Sequence, residues 1–121
     1  MDQFSFENLN AYKYARALVK SVYGVVNNLP YSERNALVDQ LKRAVISVPS
    51  NIAEGMSRKT VKQQQYFIEI SYGSLMEVLC QLQLAYDLGY INQQVLDEQR
   101  VHIQTTAKLL SGLYSSLNTK Q

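Results

Sequence analysis

Basic side chains recur in three short clusters, and positive charge at this density is suited to neutralising phosphate groups. Residues 42–62 hold five Lys or Arg residues against Glu54 alone, a net charge of +4. Residues 63–99 hold five Asp or Glu residues and no Lys or Arg, a net charge of −5. The alternative, that such charge is only a solvated surface, stays open. The candidate nucleic-acid contacts are Lys13, Arg16, Lys20, Lys42, Arg43, Arg58, Lys59 and Lys62.

The sequence offers few residues for catalysis or metal binding. His102 is the single histidine and Cys80 the single cysteine. We expect Cys80 to be a buried, unreactive thiol, because it stands among leucines with no adjacent histidine. No Cys/His cluster has metal-ligand spacing, and the five glycines are too dispersed for a phosphate-binding loop. These observations predict a protein that is not an enzyme, with no catalytic residue, metal or cofactor.

Length and composition predict a single domain over residues 1–121. A chain of this length with 46% hydrophobic residues can bury its own core. One cysteine permits no intramolecular disulfide, which favours a reducing compartment. The amino-terminal residues lack the basic start and apolar run of a signal peptide. The longest uncharged stretch, 21–32, falls short of the roughly 18 residues of a membrane span. We therefore expect a cytoplasmic protein without membrane contact.

Apolar residues recur at three- and four-residue steps through four segments, a spacing typical of amphipathic helices. The predicted helices cover residues 8–28, 33–54, 61–88 and 93–117. Short links between long helices favour an all-α, antiparallel, up-down-up-down four-helix bundle. The predicted signals for helix ends are Ser32 as a cap, Gly55 as a left-handed residue after the second helix, Thr60 with Gln63 as a capping box, Gly89 as a stop and Asn92 as a cap.

The third predicted helix carries more apolar residues than one face can hold. One face holds Ser71, Ser74, Leu75, Val78, Leu82 and Ala85. The second face holds Tyr66, Ile70, Gly73, Cys80, Leu84 and Leu88. A helix that is apolar most of the way round must be covered on more than one side. Because an exposed second face would promote aggregation, we predict that it meets another subunit of a homo-oligomer.

Pro49 stands inside the second predicted helix, where it removes an amide donor and clashes with the carbonyl of Val45. We therefore predict a kink in this helix. A polar strip runs beside the apolar face, next to Asn51, and consists of Arg43, Ser47, Ser50 and Glu54. Serine hydroxyls and the Asn51 amide can bond the backbone groups that a kink frees. We interpret this strip as structural rather than catalytic.

These residues also carry a resemblance. The stretch LKRAVISVPSNIAEG resembles the signature of a family of small bacterial four-helix-bundle proteins, whose founding members are encoded in intervening sequences within 23S ribosomal RNA genes. The stretch YFIEISYGSLMEV is similar to the family's Gly-Ser-Leu-x-Glu segment, and AYKYARALVKSVY and LGYI extend the resemblance over essentially the whole chain. The residues assigned to this structural motif are Arg43, Ser47, Pro49, Asn51, Glu54, Gly55, Gly73, Ser74 and Glu77.

The resemblance implies a left-handed bundle that assembles into a ring, often a pentamer. It also implies a link to the accessory proteins of reverse transcriptases in diversity-generating retroelements, whose positively charged ring surface contacts nucleic acid. Exposed members of the nine tyrosines could stack on unpaired bases, although Tyr12, Tyr23 and Tyr114 have the spacing of core residues.

Two function hypotheses follow from the sequence. The first is a non-enzymatic oligomer that binds RNA or DNA without sequence specificity, as partner of a reverse transcriptase or an RNA-processing protein. A closed ring would repeat each basic cluster once per subunit and multiply its phosphate contacts. The second is a protein–protein interaction scaffold whose basic groups bind no nucleic acid.

Overall fold

The computed structural model describes residues 3–118 and contains four α-helices and no strand within that range. The helices are α1 (Asn10–Val26), α2 (Leu37–Met56), α3 (Val61–Asp87) and α4 (Gln93–Asn118). The two ends of the predicted domain, residues 1–2 and 119–121, lie outside the described residues. The all-α prediction with four helices is confirmed.

The four helices pack around one apolar core. Helix α1 contacts α2 and α4, and α3 contacts the same two helices. Each helix contributes fully buried side chains to the core, for example Leu18, Val45, Leu75 and Ile103. Complete burial of such a side chain stabilises the fold by about 1.5–3 kcal/mol. The amphipathic spacing of each segment is therefore explained by burial of one face against its two neighbours.

The beginning of α2 differs from the prediction. Ser32 is not a helix cap, because Tyr31–Glu33 forms a short 3-10 turn and α2 begins only at Leu37. The carboxylate of Glu33 accepts hydrogen bonds from the Leu37 amide at 3.4 Å and from the Tyr90 hydroxyl at 3.0 Å. Glu33 thus satisfies one of the amides at the start of α2, where negative charge is also favourable. Helix α1 likewise begins at Asn10 rather than at residue 8.

The boundaries of α3 and α4 follow the predicted local signals. The Thr60 hydroxyl accepts a hydrogen bond from the Gln63 amide at 3.1 Å, although the Gln63 side chain makes no return bond within residues 3–118. Gly89, just past α3, has a φ of 80°, a left-handed conformation that glycine adopts without steric cost. The side chain of Asn92 accepts from the Val95 amide at 2.9 Å and caps α4.

Gly55 has a different role from the one predicted. It is buried inside α2, which continues to Met56, so it is not a left-handed residue after the helix. A Cβ atom at this position would lie 2.8 Å from the Cβ of Phe67 and 3.3 Å from the Gln64 carbonyl oxygen, both on α3. The absence of a side chain at Gly55 therefore allows α2 and α3 to approach closely.

Substitution Gly55→Ala should lower the free energy of unfolding, because overpacking of a tight contact costs about 1–3 kcal/mol. The higher helix propensity of alanine offsets roughly 1 kcal/mol of that loss. Gly24→Ala is the matched control, because a Cβ atom there meets nothing within 4 Å. This substitution should raise the free energy of unfolding, since alanine has the higher helix propensity. Urea unfolding at one protein concentration measures both variants. Equal effects of the two substitutions would contradict the close-approach explanation.

The bond between Tyr90 and Glu33 should make part of the stability depend on pH. The hydrogen bond to the Glu33 carboxylate raises the pKa of the Tyr90 phenol above its ordinary value of 10.0, with desolvation and the negative charge adding to the effect. A raised phenol pKa contributes stability that is fully present below about pH 10 and is lost as pH rises through the folded-state pKa. Tyr90→Phe should therefore destabilise the protein at pH 7, and the difference from the unsubstituted protein should shrink by pH 11.

Urea midpoints at the two pH values measure this difference. Tyr86→Phe is a suitable control, because Tyr86 is an exposed tyrosine close by on α3. A Tyr90→Phe difference that stays constant from pH 7 to pH 11 would contradict the assignment.

Candidate functional site

The predicted phosphate contacts on α1 form a single exposed basic face. Lys13, Arg16 and Lys20 follow one another at steps of three and four residues, and all three are exposed. None of them forms an ion pair within residues 3–118. The guanidinium of Arg16 lies 5.8 Å from the ring centre of Tyr12, where an exposed cation–π contact is worth about 0.5–1 kcal/mol. This basic face of α1 offers three positive charges to a ligand.

A groove of about 360 Å³ separates α1 from α2 beside Pro49. Arg16 lines it from α1, and Ile46 lines it from α2. Lys42 of α2 also turns toward α1, with its ammonium 5.3 Å from the ring centre of Tyr23. The structure therefore brings Lys42 to the same pair of helices as Arg16.

Two other predicted contacts already have partners inside the chain. Nε of Arg43 lies 3.1 Å from Oδ2 of Asp39, and Nη2 of Arg58 lies 2.9 Å from Oε1 of Glu54. Both pairs are exposed and join residues one helical turn apart, so each contributes no more than about 1 kcal/mol. The positive charges of Arg43 and Arg58 are thus partly neutralised. The partner of Arg43, Asp39, lies outside the 42–62 segment, whereas Glu54, the partner of Arg58, lies inside it.

The turn into α3 keeps the remaining two predicted contacts in solvent. Lys59 and Lys62 are exposed and form no ion pair in the part of the chain that the structure describes. Arg58, beside them, places its guanidinium 4.7 Å from the ring centre of Phe67. This second basic surface lies at one end of the bundle, and the basic face of α1 runs along its side.

Polar side chains around Pro49 bond the backbone of α2, which continues through the proline to Met56. Nδ2 of Asn51 donates to the carbonyl and to Oγ of Ser47, at 2.8 Å in each case. Oγ of Ser47 in turn lies 2.8 Å from Oγ of Ser74 on α3. Three residues of the motif thus form one hydrogen-bonded chain between α2 and α3.

A buried serine makes a second cross-helix bond next to the proline. The Ser71 hydroxyl, on α3, donates to the Val48 carbonyl at 2.8 Å. The sequence predicts that side chains bond the groups freed by Pro49, which leaves the Val45 carbonyl without its helical donor. Instead, the bonds of Asn51 and Ser71 go to the carbonyls of Ser47 and Val48. The Asn51 bond stays within α2 and the Ser71 bond holds α2 against α3, and neither replaces the missing helical bond of Val45.

The motif residues divide between two sides of α2. A polar groove of about 320 Å³ between α2 and α3 is lined by Gln40, Arg43, Ala44, Ser47, Ser74, Glu77 and Gln81. Pro49 lines the α1–α2 groove instead, and Glu54 is engaged by Arg58. Within residues 3–118, Oε1 of Gln81 is the buried side-chain oxygen that accepts no hydrogen bond. An unmet buried acceptor costs about 1–3 kcal/mol, which singles out this groove.

The second face of α3 is open to solvent in the single chain. Tyr66, Leu84 and Leu88 are 59%, 47% and 58% exposed. Gly73 and Cys80 are also exposed, and Ile70 is half-buried. The expectation of a buried Cys80 thiol is therefore wrong for the single chain, because the core takes the opposite face of the helix.

Sequence reasoning did not anticipate a groove of about 460 Å³ between α3 and α4, which Glu69, Tyr72 and Tyr114 help to line. The Glu69 carboxylate beside the Tyr114 hydroxyl raises the pKa of that phenol. Tyr114, like Tyr12 and Tyr23, packs against the core with part of its ring, as predicted. No sequence pattern indicates the pairing of Tyr114 with Glu69, because the two residues are 45 positions apart in the chain.

Other candidate chemistry is limited. Nε2 of His102 lies 3.3 Å from the Tyr14 carbonyl oxygen, and the two rings meet edge to face. Within residues 3–118, no group of three or more His, Cys, Asp or Glu residues is placed to hold a metal ion. None of the helices in that range is long and apolar enough to cross a membrane.

A family model described as the 23S rRNA-intervening sequence protein matches residues 7–112. The chain belongs to this family. The match runs from the first 3-10 turn into the second half of α4 and includes every residue of the α2–α3 groove. No curated protein matches the sequence. The resemblance inferred from the motifs is confirmed.

Two hydrogen bonds join the Ser-x-Pro-Ser-Asn segment of α2 to α3, one between the hydroxyls of Ser47 and Ser74 and one from the Ser71 hydroxyl to the Val48 carbonyl. Ser71→Ala should lower the free energy of unfolding by about 0.5–1.5 kcal/mol, because it removes a buried donor to a main-chain carbonyl. Ser50→Ala is the control, since Ser50 is exposed in the α1–α2 groove. Urea unfolding of both variants measures the difference. A Ser71→Ala effect no larger than that of Ser50→Ala would contradict this role.

Proposed function

We propose that this chain is a non-enzymatic helical-bundle protein that binds RNA or DNA through repeated basic surfaces. The observation that carries the proposal is the basic face of α1, where Lys13, Arg16 and Lys20 are exposed without ion-pair partners in the described part of the chain. Neutralisation of phosphate by such groups supplies essentially all non-specific affinity. The proposed contacts address the backbone and not the bases, so we expect no sequence specificity.

The proposal includes an antiparallel, up-down-up-down, left-handed arrangement of the helices, with a bend of α2 at Pro49. Near the start of α3, Gln65 bonds the Tyr114 carbonyl at 3.3 Å and the Asn118 side chain at 2.7 Å, both near the end of α4. Contact between the start of one helix and the end of the next supports an antiparallel pair. The missing amide of proline and its clash one turn back support the bend.

The proposal also includes a homo-oligomer, with a ring-like pentamer favoured by the family resemblance. Support comes from Tyr66, Leu84 and Leu88, large apolar side chains that one helix of a single chain leaves exposed. Burial against a second copy would remove this surface from water. In a ring the basic face of α1 recurs once per subunit, so several weak contacts act on one strand. The partner protein that we propose is a reverse transcriptase or an RNA-processing protein.

Salt titration of binding to short RNA and DNA tests the nucleic-acid proposal. We expect affinity to fall steeply with salt, because the logarithmic slope grows by roughly 0.7–0.9 for each phosphate that the protein neutralises. The triple variant Lys13→Ala, Arg16→Ala, Lys20→Ala should bind more weakly and with a shallower slope, while its helical circular dichroism is unchanged.

A single-residue comparison provides the matched control. Arg16→Ala and Arg43→Ala each remove one positive charge, but Arg43 is already paired with Asp39. We expect the larger loss of affinity from Arg16→Ala. Unchanged binding by the triple variant would exclude the basic face of α1 and leave Lys59 and Lys62 as the alternative surface.

A protein-interaction scaffold is the second candidate function. The exposed apolar side chains of α3 favour it, because the same surface could dock another protein. The ion pairs of Arg43 and Arg58 favour it too, since they reduce the positive charge available for phosphate. Absence of binding to RNA and DNA even at low salt would leave this scaffold as the function.

A further inference from the structure

An exposed line of residues on α3 has a regular spacing and a carboxylate in its middle. Gly73, Glu77, Cys80 and Leu84 follow at steps of four, three and four residues, and all four are exposed. This spacing is the one that keeps side chains on a single helix–helix seam. Glu77 forms no ion pair in the chain between residues 3 and 118. We call these four residues the α3 line.

A second line with the same spacing lies on α4. Val101, Thr105, Lys108 and Gly112 also follow at steps of four, three and four residues. Val101 is 63% exposed, Lys108 and Gly112 are exposed, and Thr105 is half-buried. Lys108 has no ion-pair partner among the described residues. We call these residues the α4 line.

The two lines are on opposite sides of the bundle. Glu77 of the α3 line borders the groove between α2 and α3, whereas Lys108 and Gly112 of the α4 line border the groove between α1 and α4. Because α1 and α3 each contact both α2 and α4, these two grooves face away from each other. When two different surfaces on opposite sides of a subunit fit each other, copies join head to tail. Such an assembly closes into a ring if the rotation from one subunit to the next permits it.

We propose that the α3 line of one copy packs antiparallel against the α4 line of a second copy. This inference rests on the proposed homo-oligomer and specifies its interface. Read in opposite directions, the lines place Glu77 against Lys108 and Leu84 against Val101 of the second copy. The remaining two pairs are Gly73 with Gly112 and Cys80 with Thr105.

Three of the four pairs match in their chemistry, and Leu84 with Val101 is the apolar pair among them. The carboxylate of Glu77 meets an ammonium when water is excluded, which avoids an unpaired buried charge. The ammonium of Lys108 from the second copy also brings hydrogen-bond donors to the groove between α2 and α3. In the described part of the single chain, Oε1 of Gln81 in that groove accepts no hydrogen bond. At Gly73 and Gly112 a Cβ would meet nothing within 4 Å in the chain itself. Glycine is unfavourable inside helices. Close approach of a helix from the second copy would explain why glycine occurs at Gly73 and Gly112.

A competing line on α1 has the same spacing and consists of Lys13, Ala17, Lys20 and Gly24. In the same antiparallel register Lys20 would face Glu77, but Lys13 would face Leu84 of the α3 line. The α4 line avoids that mismatch, because Val101 is apolar. It also leaves the basic face of α1 open for phosphate.

Disulfide trapping with the native Cys80 tests the register. In Thr105→Cys, each copy carries two cysteines on opposite surfaces, so mild oxidation with diamide should give a ladder of dimers, trimers and larger species on a non-reducing gel. The bond requires Cβ atoms about 3.5–4.5 Å apart, so a residue out of register reacts poorly. Gln104→Cys is the matched control, and Thr105→Cys with Cys80→Ser should give no species beyond dimers.

Charge exchange provides a second test that needs no new cysteine. Glu77→Lys and Lys108→Glu should each weaken assembly about 10- to 100-fold, because each places like charges together. The double exchange should restore most of the assembly, as measured by light scattering over a concentration series. Circular dichroism checks that each variant is folded.

The outcomes separate this inference from the proposed oligomer. If the unsubstituted protein assembles but Thr105→Cys forms no ladder and the double exchange gives no rescue, the pairing of the two lines is wrong while the oligomer stands. A ladder from Ala17→Cys in place of Thr105→Cys would show α1 to be the partner surface and overturn the proposal. A strict monomer at all concentrations would overturn both.

Discussion

The close approach of α2 and α3 is the contact on which the other features of this bundle depend. With no side chain at Gly55, the backbone of α2 comes near enough to α3 that even a Cβ atom would lie 2.8 Å from Phe67. Serine side chains are short, and they can bond across the interface only because it is this narrow. Ser71 reaches the Val48 carbonyl and Ser74 reaches Ser47, on the α3-facing side of the turn that contains Pro49. A proline costs roughly 3 kcal/mol in an unsupported helix, and anchoring on α3 offsets part of that cost.

The same contact determines which surface of α3 remains outside. With Ser71, Leu75 and Val78 turned inward, the helix must present Glu77 and Cys80 outward, since these lie on the other side of the helical cylinder. A four-helix bundle gives each helix two neighbours, so a helix with two apolar faces cannot bury both within one chain. The second apolar face that the proposed oligomer would cover therefore originates in the packing of a single chain and not in its net charge.

Features that depend on residues within one helical turn were predictable from the sequence, and features that depend on tertiary contact were not. Thr60, Gly89 and Asn92 act on backbone groups three or four residues away, so their types and positions are sufficient to predict helix ends. Gly55 had the same local appearance as a helix stop, but its role is set by Phe67 on another helix. The candidate site shows the same division, because exposure of the α1 cations follows from the helical period of that segment alone. At the start of α2, in contrast, Glu33 bonds both the Leu37 amide and the Tyr90 hydroxyl, and no local pattern encodes the contact with Tyr90, which is 57 residues away in the sequence.

Separation of charge between helices makes the proposed phosphate binding compatible with the proposed assembly on so small a domain. The net charge is only +2, and a uniform distribution would attract a polyanion weakly. Instead, residues 63–99 carry no Lys or Arg, whereas the basic face of α1 carries no acid partner in the described chain. If the outer surface of α3 lies between copies, its central carboxylate, that of Glu77, faces an ammonium and not phosphate, and the basic face of α1 sets the potential that a nucleic acid would meet. Under the proposed assembly, covering the acidic helix by a second copy would strengthen the basic surface without adding a single positive charge.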